Sequence, residues 1–313
     1  MEMIKVLWVN NGKDELLSFL SNANERGIEI HTCKSMRECC AHLENRSAEH
    51  WDAVILNCDA RLEMETPKRD NFGKAMAQMK DYNKLSCFIV CETELDFIEK
   101  TKIKCWASER GDKDIYNLET DVSSLYDDII TEVKNLPDYF VRKKYKNELE
   151  LCDYRQELVD ILVKYESDIE GLKSDYNIPN NCRKLFEFLT NSDLFVELYE
   201  VLDEANFFKQ EDHKFAPALV SAVLGKNDNN VPSYIKRSFH FCTEVCNDGS
   251  HELNGSGVNT LIQNGDAPYL NMSLVANLLN VLHWLNLHKE KGDLNDLMIK
   301  AGENYLNNQN TKR

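Results

Sequence analysis

Along the first 135 or so residues, short apolar runs alternate with stretches of helical spacing. Ile4–Val9 (IKVLWV) is a β-rich apolar run that ends in Asn10-Asn11-Gly12, and a run bounded by turn residues predicts a buried strand. From Asp14 to Ala23, Leu16, Leu17, Phe19 and Leu20 recur at helical spacing. Ile28–Thr32 predicts a second strand. Ser35 with Glu38 three residues on then forms a capping box that opens a helix to Leu43. Ala53–Leu56 predicts a third strand, with Asn57 at its end, and Phe72–Tyr82 a helix. Cys87–Cys91 predicts a fourth strand, Glu94–Lys100 a short helix, Ile103–Ala107 a weaker fifth strand and Asp112–Asn135 a helical stretch. Strand–helix alternation repeated in this way predicts an α/β domain whose parallel sheet is covered on both faces. Functional sites of such sheets lie at the carboxyl ends of the strands.

Past Pro137 the pattern becomes helical, so the reading divides the chain into an α/β domain over 1–136 and a mainly α-helical domain over 142–313. Lys144–Tyr165 carries Leu149, Leu151, Leu158, Ile161 and Leu162 on one helix face. Cys182–Leu202, Ser233–Cys246, Asn271–His288 and Leu294–Leu306 predict further helices. Phe207–Pro232 reads as loop-rich around one apolar segment, and Asn247–Asp266 as an irregular loop. No internal repeat of fixed period is present.

Composition narrows the function classes. Charged residues make up 29% and hydrophobic residues 42%, a soluble globular profile. No stretch approaches the roughly 18 uninterrupted apolar residues of a membrane helix, and the start of the chain lacks a signal-peptide pattern. The expected location is the cytoplasm. A net charge of −16 argues against nucleic acid as the main partner, and no DNA or membrane binding is expected. The local basic run Arg142, Lys143, Lys144 and Lys146 reads as a solvated helix start. The eleven cysteines, odd in number and without an export signal, read as reduced residues. Cys87, Cys91 and Cys105 sit inside apolar runs, as buried residues would.

The stretches KVLWVNNG and WDAVILNCDA, set in the alternating pattern, resemble the receiver domains of two-component response regulators. The resemblance covers the N-terminal third or so. It implies a flavodoxin-like, doubly wound, five-stranded parallel sheet. In that family the first strand ends in two acidic residues, and the third ends in the Asp that accepts a phosphoryl group. The matching positions here are Asn10, Asn11 and Asn57. Clustered carboxylates hold the Mg²⁺ of that chemistry, and a neutral amide is no useful nucleophile. The resemblance therefore implies a degenerate, phosphorylation-incompetent pocket without a metal or cofactor. Asp59, two residues after Asn57, reads as a loop-capping residue. The family's fourth strand ends in Ser or Thr, but here the position falls near Cys91 or Glu92, with Thr93 late. Its fifth strand ends in Lys, and Lys104 precedes the strand end expected here. Receiver domains also pair through the face of the fourth and fifth helices and fifth strand, which implies self-association or docking on another signalling protein.

Other constellations carry less. Cys242 and Cys246 lie one helical turn apart but lack the matched second pair of a structural zinc site, so no metal is expected. The helical half faintly resembles HEPN-like domains, many of which cleave RNA through an Arg followed four to six residues later by a His. Arg237, His240 and His251 form the candidate cluster, but Arg237 to His240 is too close for that motif and Arg237 to His251 too far. Arg37 to His42 fits only by number. In Asp248-Gly249-Ser250-His251 the Ser and His are adjacent, unlike a triad, and Gly249 reads as a helix C′ residue. His283 and His288 read as packing residues, and Asn254-Gly255-Ser256-Gly257 lacks the context of a nucleotide loop. The leading expectation is a non-enzymatic signalling protein, a pseudo-receiver joined to a helical interaction domain. The alternatives are an effector with a HEPN-like RNase or RNA-binding half, and a small-molecule receptor at the neutral strand ends.

Overall fold

A computed structural model describes residues 3–11, 17–44, 50–59, 61–63, 71–79, 85–107, 114–205, 216–225, 231–250 and 257–310. Ser108, His251 and residues 254–256 lie outside the described residues. The chain forms two compact units, Met1–Phe140 and Val141–Arg313.

In the first unit, strands β1 (Ile4–Val9), β2 (Ile28–Cys33), β3 (Ala53–Asn57), β4 (Ser86–Cys91) and β5 (Ile115–Asn117) form one sheet in the order β2-β1-β3-β4-β5. Every pairing is parallel. The flanking helices are α1 (Leu17–Glu25), α2 (Met36–Glu44), α3 (Phe72–Gln78), α4 (Phe97–Ala107) and α5 (Val122–Asn135). Alternate strand residues go to opposite faces. Leu7, Val9, Val54, Leu56 and Ile89 pack with Met36 of α2, Phe72 of α3 and Ile103 of α4. Val6, Trp8, Ile55, Phe88 and Val90 pack with Phe19 of α1 and with Tyr126 and Ile129 of α5. Burial on both faces explains why β1, β3 and β4 are continuous apolar runs.

The fifth strand differs from the expectation. Ile103–Ala107 is the last part of α4, in which Ile103 and Ala107, one helical turn apart, are the buried residues. The run IKCWA is apolar enough to suggest a strand, yet its Cys105 is exposed rather than buried. The strand is instead the three-residue β5, inside the stretch expected to be helical, held at the sheet edge by pairing of Ile115 with Ile89 and Asn117 with Cys91.

Pro137 opens α6 (Pro137–Lys144), where a first-turn proline has no intrahelical N–H to lose. The helical unit continues with α7 (Lys146–Leu151), α8 (Gln156–Ser167), α9 (Ile169–Ser174), α10 (Ile178–Thr190), a 3₁₀ turn at Asp193–Phe195, and α11 (Val196–Glu204). It ends with α12 (Ala216–Gly225), α13 (Ser233–Ser250), α14 (Val258–Gln263), α15 (Leu270–Lys291) and α16 (Leu294–Asn310). The apolar stripe of α15, including Leu274, Leu278, Val281 and Leu285, is buried in the core. Phe186 of α10 meets Phe239 of α13 edge to face, with ring centroids 5.3 Å apart.

Three helical expectations change. The expected helix over 144–165 breaks between α7 and α8, where Asp153 (φ 47°) and Tyr154 (φ 50°) are left-handed. The Tyr154 amide donates back to Leu149 O at 2.9 Å, closing the end of α7. The expected helix over 182–202 is split by the 3₁₀ turn into α10 and α11. The expected loop over 247–266 contains the end of α13 and all of α14, so Gly249 lies inside a last helical turn. Its missing side chain has a packing reason, because a Cβ there would sit 2.5 Å from Pro179 Cβ of α10.

Candidate functional site

The carboxyl ends of β1, β3, β4 and β5 bring the sequence-selected residues of the first unit together. Asn10 and Asn11 follow β1 and Asn57 ends β3, and all three are buried. The Asn10 backbone N–H donates to Cys33 O of the neighbouring strand at 3.1 Å. Asn11 has φ 64°, a left-handed conformation that Asn tolerates better than most residues.

Each of two amide side chains is occupied by internal partners. Asn57 Oδ1 accepts from Trp8 Nε1 at 3.1 Å, and Asn57 Nδ2 donates to Glu92 Oε1 at 3.1 Å. The resulting relay runs from an indole N–H through an amide to a carboxylate. Asn11 Oδ1 accepts from the Arg61 backbone N–H at 2.7 Å, while its Nδ2 donates to Asp59 O at 3.0 Å. A buried amide offers both a donor and an acceptor, so it fits a site with one partner of each kind. A carboxylate at either position would place an acceptor where these bonds require a donor.

Cys91 ends β4, is buried, and directs its thiol to Tyr116 O on β5 at 3.6 Å. The end of β5 is Asn117, beyond the strand end expected from the sequence, so Lys104 is on α4 and not at a strand end. Asn117 is tied into its own turn: its Oδ1 accepts from the Glu119 amide at 2.8 Å, and its N–H donates to Asp121 Oδ2 at 2.9 Å. That bond, with a second from Thr120, holds the Asp121 carboxyl below its ordinary range. Asp59, expected only to cap a loop, takes part through its carbonyl and, at 3.4 Å, its carboxylate.

Trp8 and Asn117 are site residues that the sequence reading does not select, and Glu92 is named there only as a possible end of the fourth strand, without its partner Asn57. The apolar run around Trp8 conceals its polar N–H. Glu92 was visible one position past an apolar strand, but only the β3–β4 register, Asn57 against Val90, sets it beside Asn57.

Among the described residues the helical unit does not gather Arg237 and His240 into a site, and His251 lies outside those residues. Arg237 and His240 are exposed on α13, with His240 Nε2 3.3 Å from Glu244 Oε1. Cys242 and Cys246 are buried with Cys182. A hydrogen bond with Cys246, then burial, pushes the Cys182 thiol well up, while burial does the same to Cys242. Among the described residues no group of three His, Cys, Asp or Glu side chains is placed to hold a metal ion. His283, expected to pack, is exposed beside Glu148 at 3.3 Å, whereas His288 is largely covered, with Nδ1 2.7 Å from Asp293 Oδ1. Arg37 is exposed near Glu63, and His42 meets His31 edge to face with centroids 4.7 Å apart.

Fold and site together define a protein with a parallel α/β unit, an amide-filled strand-end pocket and a separate helical unit. Comparison with protein-family models, curated proteins and solved structures gives no match to this chain.

Proposed function

We propose that the first unit is a pseudo-receiver, a receiver-like module without phosphotransfer chemistry, coupled to a helical interaction module in a non-enzymatic signalling or regulatory protein. The order β2-β1-β3-β4-β5, reversing between β1 and β3, is the flavodoxin-like order of receiver domains and supports the fold assignment. One observation carries the functional reading: Asn57, at the phosphoacceptor position, is buried and bonded on both sides, by Trp8 and by Glu92. A neutral amide so held is a poor nucleophile toward phosphorus. Asn10 and Asn11 remove the paired carboxylates that would hold Mg²⁺. Asn117 stands at the strand end where the resemblance places a Lys, which extends the loss to the fifth strand.

The net charge of −16 favours a protein partner, or a second copy of the chain, over DNA. All eleven cysteines are free thiols, in keeping with a cytoplasmic setting. No helix among the described residues is long and apolar enough to cross a membrane.

The test treats the full chain with Mg²⁺ and a small acyl phosphate, and separately with Mg²⁺ and beryllofluoride. The expected result is no covalent phosphoryl adduct by intact mass and no shift of the Val9, Asn57 or Cys91 backbone amide resonances. A stable adduct on the first unit, or saturable shifts at those amides, refutes the reading.

A further inference from the structure

Strand β2 forms one edge of the sheet and pairs with β1 alone. Their register runs unbroken from Ile4 against Ile28 to Val9 against Cys33, so the edge has no bulge. At the two ends of this pair, Ile4 N–H donates to Gly27 O at 2.8 Å and Asn10 N–H to Cys33 O at 3.1 Å. Successive residues of a strand turn their backbone groups to alternate sides. Glu29 and His31, which alternate with Gly27 and Cys33, therefore bond toward β1, and Ile30 turns its N–H and C=O to the outer edge. No described residue is hydrogen-bonded to the Ile30 backbone on that side.

Such an edge is a template for pairing with another strand, and lysine, proline or a bulge usually guards it. The sequence IEIHTC of β2 contains no lysine and no proline. Glu29 and His31 are exposed, and Ile30 and Thr32 are half-buried. His31 is positioned by His42 of α2 and by Trp51, with ring centroids 4.7 and 5.6 Å away.

We propose that β2 pairs with β2 of a second copy of this chain, antiparallel about a two-fold axis at Ile30. Ile30 of each copy then exchanges both backbone bonds with Ile30 of the other, and two five-stranded sheets join edge to edge. Charge complementarity selects both the occupant and the register. With the axis at Ile30, each Glu29 stands across from His31 of the other copy, at the closer, non-hydrogen-bonded positions. An imidazole carries an N–H in either protonation state, so each carboxylate meets a donor. Moving the axis to Glu29 opposes two carboxylates, and moving it to His31 opposes two imidazoles. The strand read backward across the axis thus supplies the group that each exposed residue needs, which an unrelated strand would match only by chance. The contact is short and buries less than the roughly 800 Å² per partner of a stable interface, so the dimer is weak and depends on concentration. The proposal rests on the sheet edge and not on the pseudo-receiver reading. It also places the contact at the opposite edge from β5, away from the face that a receiver resemblance implies.

Sedimentation equilibrium of the full chain from micromolar to millimolar concentration tests it, with hydrogen exchange read by mass spectrometry at both ends of the range. Moderate salt screens the −16 charge on each copy. A monomer–dimer equilibrium is expected, with added protection at high concentration in the peptide that carries β2. His31→Glu sets like charges opposite each other twice per dimer and weakens association by about two- to thirtyfold. Adding Glu29→Lys to that variant restores association by opposing unlike charges again. Both positions are exposed, so these variants keep the fold. A chain that stays monomeric throughout the range overturns the proposal. So does a dimer protected at α4, β5 or α5 in place of β2, a dimer that His31→Glu leaves unchanged, or a double variant that fails to recover. Protection of β2 by an added extended peptide, with the chain itself monomeric, assigns the edge to another occupant and overturns it as well.

Discussion

Placing an acid at position 57 is expected to destabilise the protein. In Asn57→Asp the new side chain matches the old in shape. One of its oxygens still accepts from Trp8 Nε1, as Asn57 Oδ1 does at 3.1 Å. The other takes the place of Nδ2, which now donates to Glu92 Oε1 at 3.1 Å. A hydrogen bond to a charged acceptor, worth about 1.5–3 kcal/mol, becomes a contact between two acceptors. If both groups stay ionised, two unit charges about 4 Å apart at an effective dielectric constant of ~20 repel by about 4 kcal/mol. Outward rotation of Glu92, which is only half-buried, relieves part of that. The net expectation is a loss of about 2–4 kcal/mol at neutral pH. The sign with pH follows from linkage. Repulsion raises the folded-state affinity of the carboxyl pair for a proton, so the penalty is full at neutral pH. It fades as acidification protonates one member, which can then donate to the other. Urea unfolding of the full chain, followed by amide signals of β1 and β3, measures the effect across the set wild type, Asn57→Asp, Glu92→Gln and the double variant. Adding Glu92→Gln to the Asn57→Asp variant supplies a donor again, so the cycle gives a favourable coupling of about 1 kcal/mol or more. An Asn57→Asp protein as stable as the wild type, or a coupling near zero, refutes the claim that Glu92 dictates an amide at this position.

Two other substitutions or conditions probe the packing. Gly249→Ala forces a Cβ to within 2.5 Å of Pro179 Cβ, so the helical unit loses about 1–3 kcal/mol. A thermal midpoint equal to wild type would show that α13 and α10 do not meet there as described. In alkali, burial raises the phenol pKa of Tyr126 and of Tyr199 to about 12 each. Since these tyrosines ionise near 10 in the unfolded chain, their stabilising contribution is complete below about pH 10 and falls away as pH rises toward 12. Ultraviolet titration should show a class of tyrosines that ionises only with unfolding, and full ionisation of all tyrosines by pH 11 in the folded protein would contradict it.

The parts of the fold legible in the sequence are those where one physical cause dominates. β1, β3 and β4 are buried on both faces, so their apolar runs announce them. β5 has only three residues at a sheet edge, too few to display a period, and its existence rests on backbone pairing with β4. The run Ile103–Ala107 misled for the converse reason: it is apolar in composition, but only two of its residues reach the core. In the helical unit the stripe of α15 was plain, whereas the break at Asp153 and Tyr154 depends on two left-handed residues that no periodicity reveals.

The strand-end pocket divides along the same line, and the division bears on what its amides do. Their presence at positions 10, 11 and 57 is legible in the sequence, and under the proposed pseudo-receiver reading they stand where a receiver carries carboxylates. Their partners were not legible, because those depend on strand register and on the turn after β3. With the partners known, loss alone is an incomplete description. A pocket stripped of its acids at random would leave buried donors and acceptors unsatisfied, at about 1–3 kcal/mol each. Here Asn57 has Trp8 on one side and Glu92 on the other, and Asn11 has the Arg61 amide and Asp59. Both amides use a donor and an acceptor at once, which a carboxylate cannot do. The interactions tie Asn11, after β1, to Asp59 and Arg61, after β3. A receiver with acids in these positions leaves their charge to be balanced by a bound ion. Here Asn11 and Asn57 are satisfied by partners within the chain.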